Sequence, residues 1–221
     1  MEFVPKLLSR IAVGERVIYR GHADDRWELK ASIGRNYTGK WESVAQRERQ
    51  ALEEFKKRSI PYVRHQPSTD IDWLCLMQHH GCATRLLDFT SNPLIAIFFA
   101  TEQTDDRNGQ LVIAKYTRTY PESLQSNLFH HTENFAYHPP HITERIVGQS
   151  GCFVFCGAPN RSLDSRQCEV IPIASREKPA IRAELKAIGI SFSTLFPGID
   201  GVCQDINESL IYDLAFEDIP F

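Results

Sequence analysis

Three short stretches of the 221-residue chain gather groups able to hold or transform a ligand. The first is Tyr19-Arg20-Gly21-His22. A guanidinium leaving an apolar run offers two parallel N–H donors to a phosphate or carboxylate, and a neighbouring glycine leaves room for a ligand at the backbone. The plainer alternative is an arginine tied to an internal acid, with Gly21 serving a turn. The second stretch, Gln78 to Asn92, sets Gln78, His79, His80, Arg85, Asp88, Thr90, Ser91 and Asn92 between two apolar helices. Arg85 and Asp88 are close enough in sequence to pair. A buried pair seldom adds net stability, so a binding or ordering role suits them better. Each histidine taken alone reads as a satisfied helix-end imidazole. The third stretch is Glu144–Gly151, with Arg145 and Gln149, followed later by Gln167-Cys168-Glu169. Taken alone, Glu169 reads as a solvent-facing strand residue.

Several chemistries are excluded. No G-x-S-x-G elbow supports a serine hydrolase. Neither G-x-G-x-x-G nor a Walker loop occurs, which removes Rossmann and P-loop readings. No metal is expected: there is no C-x-x-C pair, and adjacent His79 and His80 on a helix point about 100° apart. The cysteines Cys75, Cys82, Cys152, Cys156, Cys168 and Cys203 are too sparse for a disulfide scaffold and read as reduced, mostly buried thiols. A net charge of −3 gives no global field for nucleic acid, although a local basic patch is compatible with it. The longest apolar run, Leu94–Ala100, is far short of the roughly 20 residues of a membrane span. The start Met1-Glu2-Phe3-Val4-Pro5-Lys6 lacks a secretory layout, so the expected location is cytoplasmic.

The elements that must position these groups follow from periodicity. Glu15–Gly21 reads as a buried strand. Glu42–Arg58 is an amphipathic helix in which Val44, Glu48, Ala51, Leu52 and Phe55 follow helical spacing. Asp70–His80 is a second helix, with Gly81 as its terminator. Asn92-Pro93 starts a third, Leu94–Thr101, apolar on nearly every face and therefore central. Strands are expected over Gln110–Tyr116, Gly151–Cys156 and Cys168–Ile173, and closing helices over Pro179–Ile188 and Gly201–Tyr212. Thr117–Gln149 reads as a long polar connection holding His130, His131, His138 and His141. No repeat or linker divides the chain, which predicts one α+β domain over residues 1–221, with a mixed or antiparallel sheet and flanking helices.

At Tyr19-Arg20-Gly21, Gln78-His79-His80-Gly81, Thr84-Arg85-Leu86-Leu87-Asp88-Phe89 and Asn92-Pro93-Leu94, the chain resembles the FRG domain family. The resemblance continues through Ala96, Phe98-Phe99-Ala100, Arg145-Ile146, Gln149 and Gly151 to Leu195–Gly201. Tyr19 stands for the naming Phe, Ala83 for a frequent Pro and Phe89 for a frequent Trp. The family is largely uncharacterised and often encoded in bacteria and phages. The Tyr-Arg-Gly at a strand end, the Thr90-Ser91 pair and the late Gln-x-Glu are also similar to ADP-ribosyltransferases of the Arg–Ser–Glu type. That similarity implies that Arg20 holds NAD phosphate, Ser91 (or Thr90) lies near the nicotinamide ribose, and Glu169 stabilises the oxocarbenium-like transition state.

Three functions compete. The leading one is a nucleotide- or NAD-handling protein of ADP-ribosyltransferase-like type, with a macromolecular target or regulatory partner and a toxin or defence role. Its catalytic residues would be Arg20, Ser91 and Glu169. Its binding residues would be Tyr19, Gly21, His22, Gln78, His79, Arg85, Asp88, Thr90, Asn92 and Gln149. The second is a non-catalytic module that binds a nucleotide, peptide or nucleic acid through the same pocket. The direction in which Glu169 points separates the two. The third is nuclease or hydrolase chemistry by the histidines of Thr117–Gln149, with His79 or His80 as an acid/base.

Overall fold

The computed structural model describes residues 1–11, 16–35, 41–102, 106–116, 120, 128–164 and 168–217, with the side chains of 41, 42 and 211–217 left aside. Its centre is an antiparallel six-stranded sheet in the order β4-β5-β2-β1-β3-β6. The strands are β1 (Val17–His22), β2 (Leu86–Thr90), β3 (Gly109–Lys115), β4 (Phe135–Tyr137), β5 (Gly151–Phe155) and β6 (Cys168–Ile173). The helices are α1 (Phe3–Leu8), α2 (Trp41–Ser59), α3 (Asp70–His79), α4 (Pro93–Ala100), α5 (Glu144–Gly148), α6 (Lys178–Ala187), α7 (Phe192–Leu195) and α8 (Ile199–Glu217). Although helices separate several of the strands, every strand pair is antiparallel, so no parallel crossover is built and the α+β class holds.

Two helices decide where the polar stretches end up. Thr69 and Asp72 close a reciprocal capping box on α3, whose Ile71, Leu74 and Cys75 are wholly buried. At α4, the Asn92 side chain accepts from the Leu94 N–H at 2.9 Å and Pro93 opens the first turn. The helix then lies across β1 and β3 among Tyr19, Leu111, Ile113, Ile171 and Ile181. Its backbone comes so close that a Cβ on Gly21 would stand 2.0 Å from the Ala96 carbonyl oxygen. Gly21 is thus explained first by helix packing; the expectation that it clears a path for a ligand is not what the close approach requires.

Pairing across the sheet fixes which side chains share a face. Tyr19, Ile113 and Glu169 form one row, and Arg20, Val112 and Val170 form the next, on the opposite face. The first face carries α3 and α4. The second buries Ile18, Leu87, Phe89, Cys152 and Val154 beneath Ala31 and Leu163. β2 was invisible to periodicity because Leu86, Leu87, Phe89 and Thr90 are buried on both sides. β4 and α5, three and five residues long, lie inside the stretch read as a polar connection. Residues 117–119 and 121–127 of that stretch are outside the described residues.

Candidate functional site

β1 runs alongside β3 from Val17 opposite Lys115 to His22 opposite Gln110, but it meets β2 at one register position, Tyr19 opposite Thr90. Beyond that pair the ladder between the two central strands opens. Arg20 stands in the opening: its Nη1 donates to the Asp88 carbonyl oxygen and lies 3.7 Å from the Asp88 carboxylate. Its Nε–H is taken by Nε2 of His22 at 2.9 Å. Side chains of both sheet faces line the resulting cavity of about 250 Å3.

Its aromatic lining is Tyr19, Phe99 and Phe153 on the α4 face, with Trp27 and Phe89. The polar groups are Arg20, Gln78, His79, Asp88, Thr90, Glu102, Arg145 and Gln149. Asp88 is held by the Gln78 amide at 3.0 Å, and Gln78 in turn accepts from the Thr84 hydroxyl at 2.7 Å. The Thr90 hydroxyl donates to the Gln149 carbonyl at 2.8 Å, joining the end of β2 to the segment before β5. Arg145 stacks its guanidinium 4.6 Å from the centre of the Phe196 ring and donates to the His79 carbonyl at 3.3 Å. Its buried Nε–H has no acceptor among the described residues.

The cavity perturbs its ionisable groups. Burial lowers Arg20, an effect that the Asp88 charge opposes. Burial, then Arg145 and His80, pushes His79 down to about 4, so its imidazole is neutral at physiological pH. Desolvation raises the Glu102 carboxyl against the pull of Arg182 and Arg145. Such groups in a cleft are the usual mark of a functional site.

The structure brings Tyr19, Arg20, Gly21, Gln78, His79, Asp88, Thr90 and Gln149 onto this one cavity. His22 acts from behind, as the acceptor that orients Arg20. Asn92 is spent on capping α4. Ser91, exposed, donates to the Ser150 carbonyl at 3.3 Å and lies off the cavity, so Thr90 is the hydroxyl that faces it. Arg85 does not pair with Asp88. It turns into α2, where its Nε donates to the wholly buried Glu48 carboxylate at 2.6 Å, between the Phe129 and Phe155 rings. It orders the floor from beneath without lining it. Glu169 is exposed on edge strand β6, beyond β3 and on the face opposite Arg20. Gln167 lies outside the described residues. None of His130, His131, His138 or His141 lines the cavity.

Arg145, Glu102, Trp27, Phe99 and Phe153 were not singled out as site residues from sequence. Arg145 alone carried a signal, lying with Gln149 in the third polar stretch, Glu144–Gly151.

These features define an α+β protein whose single antiparallel sheet parts between its two central strands around a polar and aromatic cavity. Residues 15–109, from β1 to the start of β3, match the family model of the FRG domain. The match contains Arg20, Gln78, His79, Asp88 and Thr90 and ends before Arg145, Gln149 and Glu169. No curated protein and no solved structure was found to match the chain. Among the described residues, no helix is long and apolar enough to cross a membrane.

Proposed function

We propose that the chain handles a nucleotide of the NAD class in the opening between β1 and β2. The observation that carries this reading is the setting of Arg20: a guanidinium at the edge of a cavity that combines aromatic rings with amide, hydroxyl and carboxylate groups. A nucleotide joins a flat ring to phosphate through a hydroxylated sugar. The rings of Tyr19, Phe99 and Phe153 suit the base, Arg20 the phosphate, and Gln78, Asp88 and Gln149 the ribose hydroxyls.

In the ADP-ribosyltransferase-like form of this reading, the bond between the ribose anomeric carbon and the nicotinamide nitrogen breaks. Nicotinamide leaves with the bonding pair, and an acceptor nucleophile adds to the oxocarbenium carbon. A carboxylate beside the ribose stabilises that positive charge. With Glu169 off the cavity on the exposed edge strand, Asp88 fills this role, and a toxin or defence function would follow from the acceptor modified. The second reading, a recognition module without turnover, is favoured by the outward placement of Glu169.

Calorimetry with NAD and mass-spectrometric detection of nicotinamide separate them. Wild type binds NAD, and Arg20→Ala weakens binding by about tenfold or more, the worth of one charge-assisted contact. Nicotinamide release lost in Asp88→Asn supports the transferase form. Binding without release leaves the recognition module. No binding of NAD overturns the proposal.

A further inference from the structure

A second cavity, of about 430 Å3, adjoins the first and shares Arg20 and Trp27 with it. It lies beside the end of β1 under the segment that follows, and its character is different. Arg20, Arg26, Lys30 and Arg35 line it against one acid, Glu28. This concentration of cations stands out on a chain whose net charge is −3.

The segment bearing these cations is anchored. The Lys178 ammonium, wholly buried, donates to the Ala23 carbonyl at 2.7 Å. The Asp25 N–H reaches the Asn108 carbonyl at 2.9 Å, the Leu163 N–H reaches Leu29 at 2.8 Å, and Ile33 N–H reaches Thr84 at 3.2 Å. Buried Asp24 accepts two hydrogen bonds from the Arg26 guanidinium, at 2.9 and 2.7 Å, and so neutralises it. The Arg35 Nε is used on the Lys30 carbonyl at 3.2 Å. Among the described residues, no carboxylate pairs with the Lys30 ammonium or the Arg35 guanidinium. Arg35 is also close enough to help depress Arg20 and His22, as expected where like charges are held together without an anion.

We infer that this basic annex is a pyrophosphate subsite: the ligand reaches from the aromatic cavity past Arg20 and lays a second phosphate against Lys30 and Arg35. The inference deepens the nucleotide reading of the β1/β2 cleft and rests on it. It restricts the ligand to nucleotides with two or more linked phosphates, whether a nucleoside diphosphate or a dinucleotide, over nucleosides and monophosphates. The two cavities taken together have the size of an ordinary small-molecule site, which the first does not reach alone.

Trp27, on the shared wall, supplies the readout. Titrations of the full chain with adenosine, AMP, ADP and NAD are followed by tryptophan fluorescence, with Trp27→Phe confirming the origin of the signal. ADP and NAD are expected to bind about tenfold or more tighter than AMP, the second phosphate adding charge-assisted contacts. In a Lys30→Gln/Arg35→Gln variant, the ratio of ADP to AMP affinity within that one protein falls toward unity. A wild-type ADP affinity equal to that for AMP, or a ratio unmoved by the double substitution, overturns the annex and leaves the cleft reading intact. Failure of all four ligands to bind overturns both. ADP and NAD binding alike point to the pyrophosphate as the recognised group, and NAD exceeding ADP points to the dinucleotide.

Discussion

The Nε–H of Arg20 is accepted by Nε2 of His22, two residues further along the same strand and on the same face. The bond requires Nε2 to be unprotonated. Burial, reinforced by the Arg20 charge, pushes His22 down to about 3 and keeps it so. A neutral imidazole thus aims the guanidinium into the opening between β1 and β2.

Acid should therefore loosen the fold. The unfolded His22 titrates near 6.5 and the folded one near 3. Between these values the unfolded chain holds the extra proton, so stability is complete above about pH 6.5 and is lost as pH falls. His79, lowered to about 4, acts in the same direction. Urea unfolding at pH 7 and pH 5 should show wild type losing about 1–2 kcal/mol more than His22→Gln. An identical loss in both proteins would remove His22 as the cause.

Gly21→Ala should cost at least about 3 kcal/mol, the upper end of overpacking penalties, because its Cβ would enter the backbone of α4. Gly81→Ala, at φ +85° with open space around it, should cost about 1–2 kcal/mol. Chemical denaturation of the two variants checks the order; a milder effect at Gly21 would mean that α4 can shift.

Removing one partner of the Arg85–Glu48 pair leaves a bare charge in the core. Arg85→Met and Glu48→Leu should each destabilise by about 3–5 kcal/mol, and Arg85→Met/Glu48→Leu by much less than their sum. Equilibrium unfolding of the singles and the double measures the coupling. Additive losses would show that the two residues act independently.

Glu169→Gln should leave both stability and NAD affinity within experimental error, in contrast to Arg20→Ala. Calorimetry on the two variants side by side is the check. A large binding defect at Glu169 would place its side chain within reach of the ligand, against its exposed position on edge strand β6, two strands from β1.

Native thiol reactivity should follow burial. Cys203 is exposed and should react quickly with an aromatic disulfide reagent. Cys152 and Cys156, each pushed up to about 12 by burial, and Cys75, raised well above the usual thiol range by the same cause, should react only on unfolding. Mass spectrometry of the labelled peptides distinguishes the sites.

Local chemistry made much of this protein legible from residues alone. Asn92-Pro93 marks the start of α4 because capping depends on neighbouring atoms, and Cys168–Ile173 follows from β-branched apolar residues next to turn signals. Arg20 and the polar stretch from Gln78 were visible because charged and amide groups beside apolar runs are costly unless used. The sequence also carried the clue to Glu48, an acid on the apolar stripe of α2, without naming its partner. Other features depended on pairing between distant strands. A shift of one residue in register sends a side chain to the opposite face, so Glu169 falls in the row of Tyr19 and Val170 in the row of Arg20. Only the tertiary structure opened β1 from β2, and with that opening brought Arg145, Glu102 and the aromatic wall around the guanidinium.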